Sequence, residues 1–76
     1  MGAVSQLIDD IEARVAIIKG RVADLERQRA NLLPHHQDCV NEQDWHGAWD
    51  GAVYIANIEC EITGLKFALK ALGGEP

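Results

Sequence analysis

A chain of 76 residues with a 47% hydrophobic fraction makes one small domain. That fraction is ordinary for a folded protein and excludes disorder, and no apolar run approaches the roughly 20 residues that cross a bilayer. The net charge of −5 repels phosphate backbones and suits basic partners.

The charge is unevenly placed. Before Pro34, Asp9, Asp10, Glu12, Asp24 and Glu26 are cancelled by Arg14, Lys19, Arg21, Arg27 and Arg29. The whole excess lies beyond, where Asp38, Glu42, Asp44 and Asp50 crowd together and the bases are Lys66 and Lys70. The opening MGAVSQLIDD has no basic segment followed by an apolar stretch, so no secretory signal is expected there. Gly2 with serine at position 5 misses the myristoylation pattern by one place.

Helix 1 is predicted from Ser5, a good N-cap, to about Leu33. Val4, Ile8, Ile11, Val15, Ile18, Val22, Leu25 and Leu32 alternate in steps of four and three, broken by Arg29 alone. Such a narrow apolar stripe must pack on another helix. Pro34 is expected to end the helix, because the residue before a proline disfavours helical geometry. Residues 34–41 then form the connection, with Asn41 as N-cap of a second helix over about 42–72, stopped by Gly73-Gly74.

Helix 2 has a seam of its own, Ala48, Gly51, Ile55, Ile58, Ile62, Leu65, Leu69 and Leu72. The expected fold class is therefore all-α, an antiparallel two-helix hairpin. Folding about residues 34–41 sets Ile8 by Leu69, Val15 by Ile62, Val22 by Ile55 and Arg29 by Ala48. It also puts Glu12 beside Lys66 and Lys19 beside Glu59, both of opposite sign. A second stripe of Trp45, Trp49, Ala52, Val53, Ala56, Cys60 and Phe67 cannot be covered by the same neighbour. The economical answer is a homodimer forming a four-helix bundle.

Cys39 in the connection and Cys60 about 27 Å along helix 2 at the standard rise are too far apart for a disulfide, which needs Cα atoms within about 7 Å. Two free thiols fit a reducing cytoplasm. His35, His36, Asp38, Cys39 and His46 are metal-ligand types, but their spacing matches no zinc pattern, so no metal or cofactor is expected. With no nucleophile–base spacing, phosphate loop or strand, no catalytic residue is assigned and an enzyme is not expected.

The cluster Asp44-Trp45-His46-Gly47-Ala48-Trp49-Asp50-Gly51 carries the functional expectation. Trp45 and Trp49 share a face, and two helical glycines, each costing roughly 1 kcal/mol against alanine, imply a close approach by a neighbour. The tryptophans either fill a dimer core at the hairpin end or anchor a partner-binding patch rimmed by acids. The expected partner-binding set is Asp38, Glu42, Asp44, Trp45, His46, Trp49 and Asp50. Arg29 in the seam is expected to reach Asp44 or Asp50 or to join that surface.

The predicted architecture resembles the plasmid copy-control RNA-binding hairpins of the Rop type over most of the chain, without a shared motif. That resemblance implies RNA binding, against which stand the acidic charge and the scattering of helix 1 bases among acids. In size, charge and architecture the chain also resembles small inhibitors encoded by phages and mobile elements, such as anti-CRISPR and anti-quorum-sensing proteins. That likeness implies a homodimeric protein–protein interaction module in a bacterial host cytoplasm, blocking a protein with a basic surface. The competing expectation is a structural oligomerisation or adaptor subunit.

Overall fold

The structure, a computed structural model, describes the backbone of residues 2–74 and the side chains of residues 6–74. The chain forms two α-helices, α1 (Gly2–Asn41) and α2 (Trp45–Ala71), packed on each other as a hairpin. No strand occurs among the described residues. The rod measures 63 × 16 × 15 Å, with a radius of gyration of 17.4 Å against about 11 Å for a compact domain of this length.

The core lies along the facing seams. Val22, Leu25, Ile58, Ile62 and Leu69 are buried together, with Val15, Ile18, Leu32 and Leu65 packed around them. Leu25 is the most enclosed large side chain, 2% exposed. Two ion pairs cross between the helices at the surface, Arg21 Nε to Glu61 Oε2 at 2.9 Å and Lys66 Nζ to Glu26 Oε1 at 3.5 Å. Exposed pairs of this kind contribute about 0–1 kcal/mol each, so the apolar seam holds the hairpin.

Three expectations are corrected. First, α1 does not stop at Pro34; it continues to Asn41, and the connection is only Glu42–Asp44. Pro34 removes the N–H that would bond the Ala30 carbonyl, yet both residues are exposed, where water can satisfy that oxygen. The steps of four and three also run on past Leu32 to His36 and Cys39. Both pack on glycines of α2: a Cβ at Gly51 would lie 3.0 Å from His36 Nδ1, and one at Gly47 would lie 3.0 Å from Cys39 Sγ. Packing of this last stretch outweighs the proline penalty.

Second, the caps differ. α1 is already helical from Gly2, so Ser5 is an interior position. Asn41 is the last residue of α1 and accepts from Gln37 Nε2 at 3.0 Å. Asp44 is the N-cap of α2, its carboxylate accepting from the Gly47 N–H at 3.1 Å. Gln43 turns the chain with φ of 60°. At the other end Gly73, φ 81°, closes α2 as expected of a glycine after a helix.

Third, moving the turn from about residue 38 to residue 43 slips the register by about ten residues, a heptad and one further step of three. Leu69 meets Val15, not Ile8: both reach the position of Gly74, where a Cβ would lie 2.9 Å from Val15 Cγ1 and 3.6 Å from Leu69 Cδ2. Lys66 pairs with Glu26 rather than Glu12, and Arg21 rather than Lys19 faces the acidic side of α2. The first turns of α1 overhang α2, leaving Ile8 51% exposed and Ile11 at the edge of the core. Val4 lies outside the described side chains. Arg29, half-buried, now sits opposite the Ile55–Ile58 turn, and none of the ion pairs among the described residues joins it to Asp44 or Asp50.

Two consequences are measurable by chemical denaturation. Leu25→Ala and Ile62→Ala are each expected to lose about 2–5 kcal/mol, whereas Ile8→Ala loses less than about 1 kcal/mol because its side chain has little to leave. Pro34→Ala is expected to stabilise the hairpin by about 1–3 kcal/mol, since it restores a backbone donor inside a continuous helix. A proline standing in a loop would show no such gain.

Candidate protein-binding surface

The core face of α2 is centred on Ile58, Ile62 and Leu69. At about 100° per residue, Trp45, Trp49, Ala56, Cys60 and Phe67 lie about 150° away, on the opposite side of the helix. The solvent exposure agrees: Trp45 is 64% exposed, Trp49 69% and Phe67 74%. Val53, Ala56, Cys60 and Thr63 between them are also exposed. The result is an uncharged strip about 33 Å long at the standard rise, with no neighbouring helix over it.

All seven residues expected to bind a partner lie at the turn end of the rod, and all are exposed. Asp38 is in the last turn of α1, Glu42 and Asp44 in the connection, and the others at the start of α2. They do not form one patch. Trp45 and Trp49 point away from α1, while His46 and Asp50 lie a further 100° round the helix and face each other, Nε2 to Oδ2 at 3.5 Å. The Asp44 carboxylate is engaged in capping. Asp38, Glu42 and Asp50 are the other acids exposed at this end of the rod.

The two thiols have different surroundings. Both are free; Cys39 is buried and Cys60 exposed on the strip. Burial pushes the Cys39 thiol up, and the negative charges of Asp44, Glu42 and Asp38 push it the same way. His35 Nε2 lies 3.8 Å from Cys39 Sγ on the same helix face. No group of three or more histidine, cysteine or acidic side chains converges on a metal-sized site among the described residues.

An open groove of about 520 Å³ runs along the side of the hairpin, floored by Leu25, Leu32 and Ile58 and edged by Gln28, Tyr54 and Asn57. Its charged lining is the Arg21–Glu61 ion pair. No helix among the described residues is long and apolar enough to cross a membrane.

Val53 and Phe67 stand in the second stripe expected from the sequence, outside the partner-binding set, and form the middle and far end of the strip. Thr63, absent from that stripe, belongs with them: Trp49, Val53, Ala56, Cys60, Thr63 and Phe67 repeat in steps of four and three, a second heptad seam on one helix. Compared with protein-family models, with characterised proteins and with solved structures, the chain matches none.

Glycine substitutions separate packed from open positions. Gly51→Ala and Gly47→Ala are expected to destabilise by about 1–3 kcal/mol, because the new Cβ meets His36 at 3.0 Å or Asp44 Oδ2 at 2.5 Å. Gly20→Ala, with nothing within 4 Å, is expected to stabilise by about 1 kcal/mol; thermal melts report both signs.

A pH prediction follows from Cys39. In the unfolded chain its proton leaves near pH ~8.5; in the folded chain it is held to higher pH. The thiol's contribution to stability is therefore intact below about pH 8.5 and is lost as the pH rises toward the raised folded value. Cys39→Ala should melt lower at neutral pH but show a smaller further fall above about pH 8.5.

Proposed function

We propose that this chain is a protein–protein interaction module that works through the outer face of α2 and the acidic turn beside it. The observation that carries this reading is the exposed, uncharged strip from Trp45 to Phe67 on the side of α2 away from α1. A large contiguous apolar patch on a small chain marks an association surface. Aromatic residues, tryptophan above all, dominate the energetics of such surfaces.

The surface serves two partners in this reading. Its long part, Trp49 to Phe67, takes a second copy, giving a homodimer of four helices. Its turn end, Trp45 with Asp38, Glu42 and Asp50 exposed at the same end of the rod, takes a basic surface of another protein, with the acids steering and the indole anchoring. Occupying that surface sterically would inhibit the protein that owns it, in the manner of the small acidic inhibitors of phages and mobile elements. A cytoplasmic setting suits two free thiols.

The strip's length also favours a structural reading, an oligomerisation or adaptor subunit whose sole activity is to assemble. RNA binding has less support. Arg21 and Arg27 are paired with Glu61 and Asp24, and the net charge of −5 opposes a phosphate backbone.

The test is capture of partners from a bacterial lysate at low salt, with mass spectrometry, comparing the wild type with Trp45→Ala/Asp50→Asn. A basic protein retained by the wild type, released by added salt and lost by the double variant without loss of helicity, is the expected result. Equal recovery on both, or no protein above background, overturns the inhibitor reading and leaves the structural one.

A further inference from the structure

The geometry points to a specific occupant for the outer face of α2: a second copy of this chain, with its α2 antiparallel and the two helices related by a twofold axis level with residue 58. This rests on the self-association in the proposed function and names its geometry. The order of side chains along the strip fits such a copy. Trp49, Val53, Ala56, Cys60, Thr63 and Phe67 are spaced 4-3-4-3-4, which reads the same in both directions about residue 58. Reversing one copy on the other lays Trp49 against Phe67, Val53 against Thr63 and Ala56 against Cys60. The bulky rings sit at the ends and the small side chains at the centre, where the backbones must approach.

Charge favours the same direction. At one end of α2 stand Glu42, Asp44 and Asp50; at the other stand Lys66 and Lys70. An antiparallel pair brings Lys70 of one copy level with the acidic turn of the other and opposes the two helix dipoles. A parallel pair would stack the acidic turns on each other. The available surface is sufficient in scale. Trp49 and Phe67, 69% and 74% exposed, present on the order of 300 Å², over a third of the ~800 Å² per partner in a standard interface. Val53, Ala56, Cys60 and Thr63 extend the same face.

Because this face is opposite the core, the four helices lie in a row, α1–α2–α2–α1, rather than at the corners of a square. The row leaves both acidic turns accessible. One pair works against the dimer: Glu59 of each copy flanks the axis on the same side, exposed and facing its own image. Glu59 makes no ion pair among the described residues. Removing that repulsion should tighten association, an effect specific to this register.

The experiment uses the full chain. Sedimentation equilibrium gives the dimer dissociation constant for the wild type, Trp49→Ala, Phe67→Ala and Glu59→Gln. Ala56→Cys is oxidised separately and its cross-links mapped by mass spectrometry. The expected results are roughly 30-fold weaker association for each aromatic variant and tighter association for Glu59→Gln. In Ala56→Cys the introduced thiol should join Cys60 of the second copy in a covalent dimer. A chain that stays monomeric to high concentration overturns self-association and this geometry together. A dimer indifferent to Phe67→Ala and Glu59→Gln, or one cross-linked only through Cys60 to Cys60 with no gain from Ala56→Cys, overturns this geometry and leaves self-association standing.

Discussion

The structure depends on one constraint: a two-helix hairpin has a single internal interface. All the burial it can achieve lies along the seam through Val22, Leu25, Ile58, Ile62 and Leu69. A second apolar face on either helix must then meet solvent or another molecule. On α1 the charged residues leave no such continuous face. On α2 the side opposite the core carries no charge from Trp45 to Phe67, so the topology of the hairpin itself delivers that strip to the outside.

The same seam explains what could be read from the sequence and what could not. The helices, their antiparallel packing and the residues facing the core follow from apolar spacing, which is a local property. Register is not local. Two seams that alternate steps of four and three match again after a slip of about ten residues, and the flanking charges proved a weak guide because Lys66 finds Glu26 as readily as Glu12. The alignment is decided at the turn, where His36 and Cys39 need the space above Gly51 and Gly47. Histidine and cysteine in a seam do not announce themselves as apolar, and the proline before them suggested a break. The proline rule is a propensity, and packing of the following two turns outweighs it. The turn cluster was legible as paired tryptophans beside acids, with a dimer core and a binding patch both open, but not their division between two faces, which depends on where α2 begins.

Starting α2 at Trp45 gives each acid a different task. Asp44 becomes the cap, its charge set against the positive end of the helix. Asp50 falls beside His46. Asp38 and Glu42 stay exposed, where they act on a buried Cys39 as well as on whatever approaches from solvent. One acidic segment thus terminates a helix, raises a thiol and colours one end of the rod negative, while the lysines near Leu69 leave the other end less so. That polarity along α2 makes the direction of an approaching copy matter.

Size closes the argument. A 63 Å rod only 16 Å across has far more surface than a compact domain of its length, and chains of this size bury too little to be comfortably stable alone. The overhanging start of α1 adds length without burial. A face that excludes water from Trp49 and Phe67 would supply the burial the hairpin lacks, and association that favours the folded state raises stability by mass action. Folding and assembly are then coupled through one helix. α2 holds α1 with one side and a neighbour with the other, and a change on either side is felt in both.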